Sequence, residues 1–222
     1  MADTIRSNFV FYQCSNPACS FRFPVQYRSS DVVEMKCPLC KSMAYANISP
    51  LPHLYHPKRE ILQTKIILEA ILDNLRSVFN VGSIFRTSDG CGLNHLYLCG
   101  TTPTPLHPKM QKTALGAEKS VSWTYHPNAV ALSEHLLKDG KEIWAIEDSP
   151  YSESIEAIQV KYLKPIVLIV GNELAGIDPS LLDRCTRIIS IPMHGQKRSL
   201  NVEVAFSIAA YCIRQLFLSA EQ

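Results

Sequence analysis

The sequence has no uninterrupted apolar run of the length that crosses a membrane as a helix, and residues 1–30 lack the apolar stretch of a signal peptide. These absences predict a cytoplasmic protein that does not enter a membrane. Charged residues make up only 19% of the chain and hydrophobic residues 46%, which argues against global disorder and predicts a sizeable core. At 222 residues there is room for one ordinary domain and a small additional module.

Several common catalytic and nucleotide-binding motifs are also missing. No G-x-G-x-x-G pattern follows the first strand predicted after the cysteine-rich segment, and G-x-x-x-x-G-K followed by Ser or Thr does not occur, which argues against a Rossmann dinucleotide site and a P-loop. The H-E-x-x-H pattern of zinc proteases and the G-x-S-x-G pattern of serine hydrolases are absent as well. The function must therefore rest on other polar residues.

The charge of the chain is small but unevenly distributed. Residues 1–125 carry 13 Lys or Arg and 8 Asp or Glu, a net charge of +5, whereas residues 126–222 carry 9 and 12, a net charge of −3. A basic first half is weak support for a polyanionic partner, and ordinary solvated charge explains it equally well. Within it, Lys109, Lys112 and Lys119 form the best candidate stretch for phosphate contacts, or else a solvated surface.

Four of the eight cysteines cluster by spacing near the start of the chain. Cys14 and Cys19 form a C-x4-C pair, and Cys37 and Cys40 form a C-x2-C pair. Two short turns that each offer two thiolates can close a tetrahedral structural zinc site. Because residues 1–50 contain few aliphatic side chains, the metal would supply folding energy. We predict a zinc-ribbon-like module here; the alternatives are a redox pair at Cys37 and Cys40, or four unrelated cysteines.

The aromatic side chains around these cysteines have two interpretations. They can stack on RNA bases, or they can be strand residues that cover a small sheet, and we favour the second. They are Phe11, Tyr12, Phe21, Phe23 and Tyr27. Residues 51–62 are predicted to be a linker, and residues 63–222 to be the main domain.

Apolar strand-like runs alternate with helical patterns throughout this main domain. The predicted strands cover residues 66–72, 95–100, 121–126, 142–148, 166–170 and 188–191. Helices are predicted after Asn80 up to the Gly90 and Gly92 stop, over 128–140 and over 202–218, with a short helix within 103–120 and a short helical or turn region at 150–158. Such alternation predicts an α/β fold with a mostly parallel sheet covered by helices on both faces.

Polar turns follow two of the predicted strands and suggest a site. Gly171-Asn172-Glu173 ends the strand at 166–170, Pro192-Met193-His194-Gly195 ends the next one, and Ser199-Leu200-Asn201 then opens the last helix. In α/β proteins ligands bind at the carboxyl ends of the strands, so a small-molecule site is expected there. The polar residues that stand out in apolar or glycine-rich contexts are Asn80, Arg86, Glu173, Ser199 and Asn201.

The last helix has apolar residues on more than one face. A first stripe contains residues 202, 205, 208, 209, 212 and 216, and Val204, Tyr211, Ile213 and Phe217 widen it. One face would pack on the sheet. The other would lie against a second subunit, or the helix is deeply packed in a monomer.

Three motifs in this order resemble one known family. The segments N-V-G-S-I-F-R-T (80–87), I-V-G-N-E-x-x-G (169–176) and I-P-M-x-G-x-x-x-S-L-N-V-x-x-A (191–205) look like those of the SpoU, or TrmH-like, branch of the SPOUT RNA methyltransferases. The resemblance covers about residues 60–218. It implies methyl transfer from S-adenosylmethionine to a ribose 2′-hydroxyl of tRNA or rRNA, a homodimer, and a C-terminal trefoil knot, which is rare among folds. The cysteine-rich module is not part of the family's minimal form.

The resemblance also implies roles for individual residues. The donor would lie in the knot against Gly100, Thr101, Gly171, Asn172, Gly176, Ile191, Met193, Ser199 and Leu200. Arg86 would activate the ribose hydroxyl, and Asn80, Glu173, Ser199 and Asn201 would support the site. A guanidinium stays protonated at neutral pH, so we expect Arg86 to bind the adjacent phosphate and to orient the hydroxyl.

Structural explanations compete with these roles. Asn201 can simply cap the last helix, and Arg86 can be paired with Asp89 or Glu173. The leading hypothesis is an RNA 2′-O-methyltransferase. The alternative is a non-catalytic RNA-binding or assembly factor on the same scaffold, which the presence of all five polar residues argues against.

Overall fold

A computed structural model describes residues 8–27, 35–46, 66–159 and 164–220 of the chain. The chain divides into two compact units, Met1–Leu62 and Gln63–Gln222. This division falls at the end of the predicted linker, although residues 51–62 themselves lie outside the described residues.

The first unit contains a four-stranded antiparallel sheet in the order β2-β1-β4-β3. Its strands are β1 (Asn8–Cys14), β2 (Arg22–Tyr27), β3 (Met35–Lys36) and β4 (Met43–Ala46). One cysteine turn joins β1 to β2 and the other joins β3 to β4. Ser20 and Lys41, one after each cysteine pair, adopt positive φ angles of 50° and 65°, which let the chain reverse tightly.

The second unit is built on a seven-stranded sheet in the order β7-β6-β5-β10-β8-β11-β9. Its strands are β5 (Leu68–Asp73), β6 (His95–Cys99), β7 (Trp123–His126), β8 (Glu142–Ile146), β9 (Glu153–Ser154), β10 (Ile166–Val170) and β11 (Arg187–Ser190). Every neighbouring pair in it is parallel, as the alternation of strands and helices predicted.

Helices cover both faces of this sheet. They are α1 (Val78–Cys91), α2 (Met110–Ala114), α3 (Ala117–Ser120), α4 (Ala129–Lys138), α5 (Pro179–Leu182) and α6 (Val202–Ala220). On one face α1, α2, α3 and α6 share a core with strand residues such as Leu68 and Leu168. On the other face α4 and α5 pack over residues such as Ile71 and Val167. Neighbouring residues of a strand point to opposite faces, which explains why the central strands are apolar throughout.

The ends of the helices have identifiable causes. Ser77 caps α1 by accepting from the backbone N–H of Asn80, and Gly92 ends it with a positive φ of 65°. Asn128 caps α4 by accepting from the N–H of Ala131. The predicted first helix therefore begins two residues before Asn80, which places Asn80 in the first turn of α1 and Gly82 further inside it.

Two short elements differ from the sequence-based expectation. The 150–158 region contains the expected short helical turn as a 3₁₀ helix at Ile155–Ala157, but the two-residue strand β9 precedes it; the turn region before β11 contains the helix α5. Both are too short to have a readable hydrophobic period.

The last helix, α6, is long and apolar. An 18-residue window, Val202–Ser219, has a mean hydropathy of 1.3, enough by length and composition alone to cross a membrane. In this chain α6 packs against α1 and the sheet and buries Phe206, Ala209, Ile213 and Phe217, whereas Tyr211 is 59% exposed. The protein core accounts for the apolar residues on this buried face, while the window as a whole is 33% buried.

Candidate active site

A cleft of about 470 Å³ lies where β8, β10 and β11 end. Its volume is within the range of roughly 300–1,000 Å³ that is usual for small-molecule sites. The loops that follow the three strands and the start of α6 supply its walls. The lining residues include Ile146, Glu147, Asp148, Gly171, Asn172, Glu173, Gly176, Ile191, Met193, Arg198, Ser199, Leu200 and Asn201. The structure thus brings most of the predicted donor-binding residues to one place.

The loop after β10 is a closed turn from Gly171 to Gly176. The backbone N–H of Gly176 donates to the carbonyl of Asn172 at 2.9 Å, and Asn172 Oδ1 accepts from the N–H groups of Leu174 and Ala175 at 3.0 Å each. A side chain on Gly171 would place its Cβ 2.3 Å from the carbonyl oxygen of Gly176. Gly171 is therefore required to close the turn and Gly176 to adopt its positive φ of 74°, so close approach of a ligand is not needed to explain either glycine.

Gly100 and Thr101 do not line this cleft. Their turn after β6 instead contacts Asn74, whose Oδ1 accepts from the N–H of Thr101 at 3.1 Å. A Cβ on Gly100 would lie 2.1 Å from the same oxygen. The carbonyl of Asn74 accepts from Asn172 Nδ2 at 2.7 Å, so the Gly100-Thr101 turn supports the cleft through two asparagines. A direct contact of either residue with a donor stays a prediction.

The segment between β11 and α6 forms the facing wall. Ile191 and Leu200 are half-buried, Met193 is 37% exposed, and Ser199 is exposed to the cleft. Asn201 caps α6, because its Oδ1 accepts from the N–H of Glu203 at 2.9 Å. The capping role considered from the sequence is therefore real, and it does not remove Asn201 from the wall of the cleft.

A chain of hydrogen bonds joins α1 to both loops. Asn201 Nδ2 donates to Asn80 Oδ1 at 3.4 Å, and Asn80 Nδ2 donates to Glu173 Oε1 at 2.9 Å. The Glu173 carboxylate also accepts from the backbone N–H groups of Ser77 at 3.1 Å and Arg76 at 2.9 Å. Three motifs that are far apart in the sequence are thus connected through three side chains.

The same bonds fix the protonation state of Glu173. Partial burial raises the pKa of its carboxyl, but backbone N–H donors and the Asn80 amide lower the pKa more, so the net value lies below the ordinary one. An ionised carboxylate at the N-terminus of α1 also complements the helix dipole. Glu173 is therefore an anchor for α1 and is poorly suited to remove a proton from a substrate.

Arg86 lies on α1 but does not line the cleft. Its side chain is exposed and forms no ion pair or hydrogen bond within the described parts of the chain. Neither carboxylate considered as its partner is paired with it, because Asp89 accepts from Ser120 Oγ and Glu173 accepts from the groups named above. Arg86 is free to meet a polyanion from solvent.

Two acidic lining residues were missed in the sequence. Glu147 and Asp148 directly follow β8, just as Gly171 directly follows β10. Glu147 Oε2 accepts from the N–H of Ile177 at 3.3 Å and thereby holds the end of the Gly171–Gly176 turn. Their position after a buried parallel strand was the available signal, because the carboxyl ends of neighbouring strands meet at one edge.

The first unit holds a separate candidate metal centre. The Sγ atoms of Cys14, Cys19, Cys37 and Cys40 all lie within 4.8 Å of one another, and no disulfide joins them. Cys14 and Cys40 are 3.4 Å apart, and Cys19 and Cys37 are 3.8 Å apart. Four thiolates around zinc at about 2.3 Å are separated by roughly 3.8 Å in a tetrahedron, so the four residues fit this metal.

The fold and the cleft define a parallel α/β protein with a cleft of small-ligand size at the carboxyl edge of its sheet. A sequence profile of the SpoU rRNA Methylase family matches residues 68–211. The chain therefore belongs to the SpoU rRNA methylase family.

Individual relatives agree with this assignment. The chain is 32% identical over 158 residues to the tRNA (guanosine(18)-2′-O)-methyltransferase of Aquifex aeolicus (strain VF5), covering 69% of this chain and 72% of that protein. It is 28% identical to the 23S rRNA (guanosine(2553)-2′-O)-methyltransferase RlmP of Bacillus subtilis (strain 168), covering 71% and 61%. The chain thus spans only about three fifths of some relatives.

Solved structures show the same fold. The crystal structure of the A. aeolicus TrmH/SpoU tRNA modifying enzyme has a TM-score of 0.62 and 30% identity, covering 69% of this chain and 77% of that one. The AdoMet-bound rRNA methyltransferase from Sinorhizobium meliloti has a TM-score of 0.60 and 25% identity, covering 67% and 56%. The SPOUT fold expected from the three motifs is therefore confirmed for the second unit.

Proposed function

We propose that this chain transfers a methyl group from S-adenosylmethionine to a ribose 2′-hydroxyl of tRNA or rRNA. The observation that carries the proposal is the joining of the three family motifs around one cleft by Asn80, Glu173 and Asn201. The named activities of the relatives, which include both tRNA and 23S rRNA 2′-O-methylation, support the reaction type and leave the RNA class open.

The cleft fits the proposed donor in size and chemistry. Ile191, Met193 and Leu200 offer an apolar surface of the kind that holds an adenine. Glu147 and Asp148 place carboxylates in the same cleft, which suits a ligand with hydroxyl donors and a positive charge. When bound, the donor supplies a methyl group on a positively charged sulfur. The chain's own part is to align an incoming hydroxyl with it.

Arg86 is the residue that we expect to hold the substrate. Its exposed guanidinium is suited to a bidentate contact with the phosphate next to the reacting ribose. The anchoring of α1 by Glu173 and Asn80 fixes the helix that carries it. We infer that Arg86 orients the hydroxyl and that Glu173 maintains the site.

A homodimer is part of the proposal. Phe79 on α1 is 60% exposed, and Val204 and Tyr211 on the neighbouring α6 are 36% and 59% exposed. Exposed apolar side chains on two packed helices suit a subunit interface. Light scattering after size exclusion should give twice the chain mass of 24.9 kDa, and Tyr211→Arg should shift the protein toward one chain.

Zinc, a knot and a cytoplasmic location complete the proposal. The sulfur distances support one structural zinc bound by Cys14, Cys19, Cys37 and Cys40. The insertion of β10 between β5 and β8, and of β11 between β8 and β9, is compatible with the trefoil knot that the resemblance implies. The location stays a prediction from composition.

A direct test combines labelled donor, purified protein and total cellular RNA. The RNA is fractionated and digested, and we expect label in a 2′-O-methylated nucleoside of tRNA or rRNA. Label on a base would contradict the reaction, and absence of label from every fraction would favour the non-catalytic alternative. Calorimetry with S-adenosylhomocysteine separates the two further, because a non-catalytic factor that has lost the donor site gives no binding heat.

A further inference from the structure

One face of the sheet in the first unit carries two exposed aromatic rings and two cations among other side chains. Gln13 on β1 lies opposite Arg22 on β2 and opposite Tyr45 on β4, and Lys36 on β3 lies opposite Met43 on β4. Directly opposed residues project to the same side of a sheet, and side chains alternate along each strand. From one edge to the other, this face therefore carries Arg22, Phe11, Tyr45 and Lys36, and we name it the aromatic face.

The aromatic face is open, whereas the opposite face forms the core of the unit. Phe11 is 48% and Tyr45 is 62% exposed, but Cys14 and Ala44 on the other side are 5% and 2% exposed. On that inner side Tyr12 stacks with Phe23 at a centroid distance of 6.1 Å. Within the described residues Phe11 and Tyr45 have no aromatic partner. Two large rings are thus about half exposed or more, without an aromatic partner in the described part of the unit.

The charge of this unit, +3 from seven Lys or Arg and four Asp or Glu over Met1–Leu62, favours a polyanion over a protein or a lipid tail. Residues 8–27 and 35–46 contain three cations and no carboxylate. Two of the cations, Arg22 and Lys36, are exposed on the edge strands of the aromatic face. Arg22 also lies over the Phe11 ring, with its Cζ 5.9 Å from the centroid. A zinc centre with four thiolates is negative, but Cys14 projects to the opposite face.

Aromatic rings on central strands between flanking cations suit an unpaired nucleic acid strand. Bases stack on exposed rings, and phosphates pair with side chains at the edges. Phe11 and Tyr45 are diagonal neighbours, which places them roughly 7–8 Å apart and allows two bases to be held at once. The polar Gln13 beside both rings interrupts the apolar surface that a protein partner would need.

We propose that the aromatic face docks a single-stranded segment of the RNA substrate, with Phe11 and Tyr45 stacking on bases and Arg22 and Lys36 contacting phosphates. This inference rests on the proposed function, since that function makes RNA the partner. It assigns the first unit a role in substrate selection, in favour of RNA that offers unpaired bases.

Fluorescence anisotropy with a labelled short single-stranded RNA tests the docking on the full, zinc-loaded chain. Phe11→Ala and Tyr45→Ala should each weaken binding about fivefold or more. Phe11→Tyr and Tyr45→Phe keep a ring and should bind as the parent chain does. Leu39→Ala is the matched control, because Leu39 is 68% exposed in the second cysteine turn but is not on the sheet. Its affinity should be unchanged.

The salt dependence of RNA affinity separates the contribution of the two cations from that of the two rings. Arg22→Gln and Lys36→Gln should each reduce the slope of log affinity against log salt by about 0.7, the value for one phosphate contact on a single strand. The ring variants should lower affinity without changing this slope. Zinc content and thermal unfolding are measured for every variant, and any alanine variant that loses zinc is replaced by Phe11→Leu or Tyr45→Leu, which remove the ring and keep much of its volume.

The outcomes are distinct from those that test methyl transfer. Zinc-replete ring variants that bind single-stranded RNA as tightly as the parent chain overturn the docking, whether or not the chain methylates RNA. Ring variants that bind RNA as the parent chain does, but lose binding to a protein partner of the parent chain, also overturn the proposed docking of RNA. A chain that binds RNA through Phe11 and Tyr45 but transfers no methyl group leaves the docking intact and contradicts the proposed function.

Discussion

Asn80 Nδ2 donates to Glu173 Oε1 at 2.9 Å, although the two residues are 93 positions apart in the chain. This bond joins the first turn of α1 to the loop after β10. The same carboxylate accepts from two backbone N–H groups at the start of α1, so the helix and the cleft are positioned together. A single substitution at Glu173 should therefore affect the stability of the fold and the shape of the cleft.

Glu173→Gln should lower the free energy of unfolding by about 1–2 kcal/mol, because hydrogen bonds to an ionised acceptor are stronger than those to a neutral one. Solvent screening of this partly exposed carboxylate keeps the loss from being larger. The folded-state pKa of Glu173 is depressed, so its contribution is fully present above the ordinary glutamate pKa and is lost as the pH falls through the lower folded-state value. The difference between parent and variant should be constant from about pH 7 to about pH 5 and shrink below about pH 4. Urea unfolding of both proteins across this pH range measures the difference in their free energies of unfolding. A difference that grows as the pH falls would contradict a lowered pKa of Glu173 in the folded state.

The glycine of the first motif has a packing role that can be isolated. A Cβ on Gly82 would lie 2.0 Å from Thr113 Oγ1 and 2.5 Å from Thr113 Cβ. Gly82→Ala should therefore force α1 away from α2 and lower the free energy of unfolding by about 1–3 kcal/mol. Gly90 is on the same helix with nothing within 4 Å of its Cβ position, so Gly90→Ala should be neutral or stabilise by up to about 1 kcal/mol. If Gly82→Ala and Gly90→Ala change the free energy of unfolding equally, the close packing of Gly82 on Thr113 does not contribute to stability.

Much of the fold was readable from the sequence because the main strands are apolar and end at polar turns. Ile166–Val170 and Leu68–Asp73 are buried along their whole length, and runs of this kind define a parallel sheet. The strand β9 was not predicted, since two residues have no period and Glu153–Ser154 pairs only with β11. Pairing of such a short segment depends on tertiary contacts.

The candidate site was readable only in part. Glu173 and Asn80 could be singled out as polar residues in apolar surroundings, but their bond depends on how α1 and β10 are placed in the fold. The resemblance implies a donor contact at Gly100, which stays a prediction; β6 is separated from β8 and β11 by other strands, and the Gly100 turn packs on Asn74. A position at the end of a strand was a necessary signal for a residue of the cleft. The order of the strands in the sheet determines which strand ends lie close enough to form the cleft.

The Gly171 turn gives a prediction for donor binding. In Gly171→Ala the new Cβ would meet backbone atoms of Gly176 at 2.3 Å, and backbone cannot rotate away as a side chain can. The turn should open, and affinity for S-adenosylhomocysteine should fall at least about tenfold. Gly195→Ala in the loop after β11 has nothing within 4 Å and should bind as the parent chain does. Calorimetry that finds equal affinity in both variants would refute the role of the turn.

The cysteine cluster predicts about one zinc per chain. Cys37 is fully buried, and Cys37→Ser should abolish stoichiometric zinc, because a serine hydroxyl is a poor replacement for a thiolate. Cys212 on α6 lies outside the cluster, so Cys212→Ser should retain the metal. Elemental analysis of both proteins under reducing conditions is the measurement. The second unit should still unfold cooperatively in Cys37→Ser, since the described residues of its core belong to its own strands, helices and loops.

Arg86 should be important for turnover but not for the fold or the donor site. It is exposed, has no partner within the described chain and does not line the cleft, so Arg86→Lys and Arg86→Gln should leave thermal unfolding and donor affinity unchanged. Arg86→Gln removes the charge and should abolish most RNA methylation. Arg86→Lys keeps the charge but loses the planar pair of donors, and its turnover should fall at least about tenfold. Single-turnover methylation with saturating donor measures this; near-normal turnover of Arg86→Lys would show that charge suffices and that the bidentate phosphate contact is wrong.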